Sequence, residues 1–474
     1  MSNLDRNPVS NEGVTCVTCH RRNEAVGKNS ARFALIEGEI FQTVFGPHGG
    51  EELKRVIESG EFDVNIDPSN KNGRNIHAKA QEFEQITTSG FCGSCHDVNS
   101  VAGFRLEEAF SEYKEAPAAK KGISCQDCHM GKEPGKNSGY DHSSIALVGG
   151  KPTKPRKKTN HMFVGPDYSI VHPGIYPHSI AASKFAKEAD WITFDHKAGW
   201  GTDEFEDQVS ADYKFPERWS SADQRYEARS IIEENIALLD KASVEREKLL
   251  KEGYQLGNIK IEEANSKKVE FEVEFRNGTE GHNVPTGFDA ERVVFIRVEV
   301  KDDNNNLLFT SGDLDPNGDL RDLHSFYVSH GKLPVDDYLF SLQSKFIVNM
   351  IRGGDREEIL PINNSTSPLP FMRPPTFATL LTGRPADARK HRQSITPLNS
   401  KIAKYEVSSE ELKNAKWPLK LNVKIIAGMI PVNLVHEISE VGFDYNMSTK
   451  EIADAVVAGH QVLWNRDLTI GKEK

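Results

Sequence analysis

Six cysteines make up the whole thiol content of this 474-residue chain, and all of them fall in three copies of Cys-x-x-Cys-His. The copies are Cys16-Val-Thr-Cys19-His20, Cys92-Gly-Ser-Cys95-His96 and Cys125-Gln-Asp-Cys128-His129. Two thiols at that spacing can form thioether bonds to the two vinyl groups of one haem, and the histidine that follows can bind its iron. A structural zinc site would pair two Cys-x-x-Cys units, and a thioredoxin-like dithiol needs only one. Neither predicts three copies, and neither predicts a histidine after each. The expectation is three covalently attached c-type haems with His20, His96 and His129 as proximal ligands.

Three distal positions would then remain. Ten of the sixteen histidines lie in the first 200 residues, and seven of those stand outside the motifs: His48, His77, His142, His161, His172, His178 and His196. A histidine chosen at random is more often solvated than a ligand, so each needs its own warrant. His142, in Tyr140-Asp-His-Ser, and His48, in the glycine-rich Gly46-Pro-His-Gly-Gly50, are candidates, and His172 and His178 remain open. Methionine is the competing distal ligand and would raise the potential. Met130 follows its own proximal histidine and cannot reach the opposite face of that haem, and Met162 adjoins His161. Two imidazoles per iron and low potentials are therefore expected.

Two further groups could do chemistry. His282, in Gly281-His-Asn-Val-Pro-Thr-Gly287, lies on a loop bounded by Gly and Pro that could touch a haem edge, although a turn-stabilising imidazole is the simpler reading. Asp313, Asp315, Asn317 and Asp319 crowd oxygen ligands at alternating positions, as a calcium loop does. Position twelve of that run is His324 rather than Glu, which excludes an EF-hand and leaves a Ca²⁺ site or an ordinary polar turn.

Covalent haem attachment takes place on the oxidising, extracytoplasmic side of a membrane, so a periplasmic or extracellular location is expected. Residues 1–15 hold no basic segment followed by an apolar one, so an export signal is expected upstream of Met1. No apolar run approaches the roughly 18–20 residues that span a bilayer. With 59 basic against 70 acidic side chains the net charge is −11, which argues against nucleic acid as a partner and leaves redox proteins, cytochromes among them.

The elements that must position these residues divide the chain in three. Residues 1–215 are irregular and mainly helical, with so few apolar runs that haems are expected to serve as the core. Lys151-Pro-Thr-Lys-Pro-Arg-Lys-Lys158 reads as an exposed basic loop. Residues 216–256 carry one long helix from Ser221 to Gly253, with Ser221 and Gln224 as a capping box. From 257 to 474 the apolar period drops to two: Val269, Phe271, Val273 and Phe275 share a face, as do Val294, Ile296, Val298 and Val300, and Leu419, Leu421, Val423 and Ile425. The fold class is multidomain, ending in an antiparallel β-sandwich of immunoglobulin type without its Cys-Trp-Cys signature. Asp302 to Asn306 reads as a hairpin turn, and a short capped helix runs from Ser448 to about Gly459.

The order of motifs resembles the multihaem cytochromes with a cytochrome c-554 type haem domain, particularly those that end in a β-sandwich. The segments that carry the likeness are Ile76-His77 before Ser89-Gly-Phe-Cys-Gly-Ser-Cys-His-Asp97, then Gly122-Ile-Ser-Cys-Gln-Asp-Cys-His-Met130, Asn160-His-Met-Phe-Val-Gly165 and Gly281-His-Asn-Val-Pro-Thr-Gly-Phe288. The resemblance implies that His77 and His161 are distal ligands. Members of that family usually carry four or more haems, and a segment like Glu12 to His20 tends to follow earlier motifs, so a preceding piece with further haems is expected. The function implied is electron transfer between redox partners. The alternative is a reductase that binds a small nitrogen or sulfur oxyanion at an iron with an open position.

Overall fold

The computed structural model describes residues 14–24, 27, 29–99, 105–168, 180–187, 190–191, 193–350, 356–359, 388–438 and 448–472. His172 and His178 lie outside them. Up to residue 168 the regular elements are short. Helices α1 (Cys16–His20), α2 (Ser89–Gly93) and α3 (Cys125–His129) carry or open the three motifs. Between them run strands of two to four residues, and the buried apolar residues of this part, such as Phe45, Val56, Phe62 and Phe91, are scattered along it.

The run Lys151 to Lys158 is not a loop. Pro155–Lys158 pairs antiparallel with Asp141–Ser144, Thr153 is buried, and the Lys157 ammonium lies 3.6 Å from the centre of the Tyr140 ring. Charge composition alone missed this because the lysine stems can cover an aromatic face while their heads stay in water.

An apolar core that the sequence did not announce lies just beyond. Phe194 meets Trp200 and Trp219 edge to face, and with Trp191 these rings form one core with Ala182, Ala186, Ala228 and Ile232. Beneath them Arg225, 3% exposed, donates to Glu206 at 2.8 Å and to the carbonyls of Trp219 and Ser220. This cluster anchors the start of helix α4 (Ala222–Gly253), whose cap is Ser221. The expected capping box does not form, since the Ser221 side chain makes no cap hydrogen bond. Midway along α4, Leu238 is 55% exposed, so the helix crosses open ground between two cores.

The period-two segments form strands whose inward faces meet. Strands β1 (Tyr254–Ala264), β2 (Val269–Asn277), β3 (Val293–Lys301), β4 (Leu307–Ser311), β5 (Ser400–Val407), β6 (Leu419–Gly428) and β7 (Gln461–Ile470) build two antiparallel sheets, ordered β1-β2-β5 and β4-β3-β6-β7. Phe271 and Phe275 from the first sheet share one core with Ile296, Val298, Leu421 and Val423 from the second. Each such side chain stabilises the fold by roughly 1.5–3 kcal/mol on burial. β3 and β4 are joined at Asp302, whose amide donates to Asn306 O, with Asn305 in the left-handed region at φ 64°. Helix α5 (Thr449–Ala458) is capped by Ser448 as expected, and Glu451 completes a capping box with it.

The oxygen-rich turn of this half is held by the protein's own hydrogen bonds around Asp315, while Asp313 Oδ1 is buried with no hydrogen-bond partner among the described residues. Asp315 accepts from the amides of Asn317, Gly318 and Asp319 and from Ser325 Oγ, while Asp313 pairs with Arg321. Those bonds engage both oxygens of Asp315 and one of Asp313, as a polar turn does, and they leave the oxygens of Asn317 and Asp319 out. Among the described residues no group of three or more His, Cys, Asp or Glu stands together as a metal site.

Candidate functional site

A helical turn brings residues i, i+3 and i+4 to one side, so each Cys-x-x-Cys-His wound as a turn presents two sulfurs and an imidazole together. α1 and α3 do this outright. After α2 the turn continues through the amides of Cys95 and His96, which both donate to Cys92 O at 3.0 and 2.9 Å. The third motif is the best held. Ser124 caps α3, its amide and hydroxyl both bond Asp127, and Tyr140 Oη donates to the other oxygen of Asp127 at 2.7 Å. The second motif is held by packing, since a Cβ on Gly93 would lie 2.3 Å from the Phe110 ring.

The three motifs lie side by side with the second in the middle. Toward the first, Ala31 N donates to Ser94 O at 2.8 Å and Arg22 donates to Ser94 Oγ. Toward the third, Cys125 N donates to Ser89 Oγ, and Gln126 Nε2 donates to the carbonyls of Ile86 and Thr88. The thiols of Cys92 and Cys125 hydrogen-bond each other, which pushes Cys92 up and Cys125 down to about 7. With haem attached these sulfurs would be thioethers, so the contact matters as proximity.

Two of the proximal imidazoles face a second imidazole. The ring centres of His20 and His161 are 6.4 Å apart with planes at 29°, and those of His129 and His282 are 6.1 Å apart with planes at 8°. Direct stacking would bring rings closer. A metal–nitrogen bond of about 2 Å plus about 1.1 Å from nitrogen to ring centre, doubled, gives roughly 6.2 Å for two imidazoles that would hold one metal ion between them. The observed separations match that value.

The free nitrogens match as well. His20 Nδ1 lies 2.7 Å from Phe45 O, His161 Nδ1 3.0 Å from Thr159 O, His282 Nδ1 2.8 Å from Asn283 O and His96 Nδ1 2.9 Å from Glu107 Oε1. Each acceptor fixes the proton on Nδ1 and leaves the Nε2 lone pair for a metal. Burial, with His282 and His96 nearby, pushes His129 down to about 4, and burial also lowers His282, so both stay neutral. Next to the first motif, Arg21 and Arg22 are 5% and 3% exposed, and Arg21 Nη2 and Arg22 Nε have no hydrogen-bond partner among the described residues. Buried cations with spare donors suit the propionates of a haem. The donor set fits covalently held haem c.

Of the other expected ligands, His77 is half-buried and close enough to His20 to be lowered by it after burial. His48 is exposed beyond Val44–Gly46, and His142 is exposed on the strand that pairs with Lys157. His282 was read as a turn-stabilising residue, and its Nδ1 does hold its own turn, yet its ring faces His129. Only the glycine-rich setting of that loop hinted at a close approach. Glu107 and the two arginines gave no signal beyond adjacency, because their roles depend on contacts made through folding.

No protein-family model matches the sequence, and a search of curated proteins finds no match. Among solved structures the chain is similar to a penta-haem cytochrome c552 from Thermochromatium tepidum, with a TM-score of 0.46 and 14% identity over 98% of this chain and 79% of that one. At that level, what the chain does must be argued from its own residues. Among the described residues no helix is long and apolar enough to cross a membrane.

Proposed function

We propose that the chain is an extracytoplasmic, multihaem c-type cytochrome that passes electrons between redox partners through three covalently held haems. The observation that carries this reading is the pairing of His20 with His161 and of His129 with His282 at 6.4 and 6.1 Å, each within reach of a Cys-x-x-Cys pair. Cys16 and Cys19, Cys92 and Cys95, and Cys125 and Cys128 hold the haems, and His20, His96 and His129 are the proximal ligands. His161 and His282 are the distal ligands opposite His20 and His129, and the third is drawn from His77, His142 and His48. When bound, haem iron with two imidazoles supplies one-electron chemistry at low potential. The C-terminal unit is an immunoglobulin-like sandwich, supported by the three-plus-four strand order and the shared core. It serves as a docking and ligand-bearing domain.

Produced in an exporting host with haem-ligation machinery, the chain gains the mass of three haems and stains for haem after denaturation. His161→Ala and His282→Ala each convert one haem to high spin while leaving it covalently attached. Fewer than three haems, or bound zinc, would overturn the reading. The reductase alternative attaches to His96, for which no facing imidazole ring is found among the described residues. It predicts one high-spin haem in the unsubstituted protein and turnover of nitrite, hydroxylamine or tetrathionate.

A further inference from the structure

The chain does not treat its proximal imidazoles alike. His20 Nδ1 donates to a neutral peptide carbonyl, Phe45 O, whereas His96 Nδ1 donates to a carboxylate, Glu107 Oε1, at 2.9 Å. Glu107 reaches His96 because Val98–Asn99 and Arg105–Glu107 fold back as an antiparallel pair, with Val98 opposite Glu107. The carboxylate is covered. Glu107 is 7% exposed, and Gly287 of the sandwich domain closes over it, so that a Cβ there would lie 3.5 Å from Oε1. Its neighbours take other partners: Glu108 pairs with Arg392 and Asp97 with Arg105. Arg105 and Arg392 are thus engaged by other carboxylates, and the Glu107 carboxylate is directed at the imidazole.

We infer that Glu107 is a positioning residue that tunes the metal bound by His96, giving that imidazole imidazolate character and holding the middle haem's potential below the value that a carbonyl acceptor would give. The inference rests on the haem reading above. A carboxylate that accepts a ligand imidazole's proton raises the basicity of the ligating nitrogen, and a more basic ligand favours the oxidised metal. A carbonyl does so less, and the burial of the Glu107 carboxylate limits how far water damps the difference.

The test uses the full chain loaded with its haems. Glu107→Gln keeps a hydrogen-bond acceptor but removes the charge. A spectroelectrochemical titration resolving three midpoints should show one move upward and the other two stay, and the electron paramagnetic resonance signal of one low-spin haem should shift toward that of a neutral imidazole. Glu107→Asp, which keeps a carboxylate, should move the same midpoint less, and it guards against a Gln variant that fails to load. Three loaded haems with no midpoint moved by Glu107→Gln would overturn the inference. Equal movement in the Gln and Asp variants would overturn it too, because charge would not be the cause. A parent chain with fewer than three haems would instead overturn the underlying reading.

Discussion

Glu112→Ala should loosen His282 without touching any residue that binds metal. The Glu112 carboxylate accepts from Asn283 N at 3.3 Å, from Asn283 Nδ2 at 3.0 Å and from Thr286 Oγ1 at 2.6 Å, so it clamps the segment that directly follows His282. Hydrogen bonds to a charged group contribute about 1.5–3 kcal/mol each, but three on one carboxylate do not add fully. A total of about 3 kcal/mol is a reasonable figure, and it lowers the ratio of docked to undocked loop by about 100-fold. The iron–imidazole bond will still favour docking at low temperature. The assay is therefore the fraction of high-spin haem against temperature, read by electronic absorption in the fully loaded protein. The variant should show a high-spin component at a lower temperature than the parent, Glu112→Gln should fall between them, and exposed Glu115→Ala should behave as the parent does. If Glu112→Ala stays low-spin to the same temperature as the parent, the loop is held by something else and the reasoning fails.

Two further predictions concern stability. Burial, beside Asp315, pushes the Asp319 carboxyl up to about 7, so its contribution is fully present below about pH 4 and is lost as pH rises through 7. At about 1.36 kcal/mol per unit this comes to at most about 4 kcal/mol. Asp319→Asn should raise Tm at pH 8 and leave it nearly unchanged at pH 4; an equal change at both values would refute the assignment. The buried Arg225–Glu206 pair gives a second test, since Arg225→Met alone leaves an uncompensated carboxylate and should cost about 3–5 kcal/mol. Arg225→Met with Glu206→Leu should recover most of that in thermal unfolding, and a double variant no better than the single would show that the carbonyl bonds to Trp219 and Ser220 dominate.

What was legible in the sequence was whatever is written locally. The motif cysteines sit within four residues of one another, and the alternation of Val269 to Phe275 and Leu419 to Ile425 needs only a period of two, so the candidate motifs and the inward strand faces could be named in advance. The capping box of α5 is likewise local. The aromatic cluster was missed because Trp191, Phe194, Trp200 and Trp219 follow no single period; they meet only when several turns fold onto the start of α4. Lys151 to Lys158 was misread because composition describes charge and says nothing of the Tyr140 ring under Lys157. His282 lies 153 residues from His129, and no spacing rule relates the two.

That separation bears on how the site is built. Among the described residues of 14–168 apolar side chains are buried only in scattered places, so on the proposed reading this part would depend on bound haem for much of its core. The sheets from Tyr254 onward have a continuous apolar core of their own and do not. His282 belongs to the second kind of structure: Asn277 Nδ2 donates to His282 O and to Ile395 O, and Asn277 N donates to Asn399 O, tying the loop to the ends of two strands. Ala118 N then donates to Glu280 O at 3.1 Å, seating the same loop beside the third motif. An imidazole fixed in this way loses little freedom when it binds a metal, which strengthens the bond it makes there. On the proposed reading the sheets thus present a preorganised imidazole to the third motif, and His282→Ala should accordingly weaken the contact between that loop and the motif as well as any ligation.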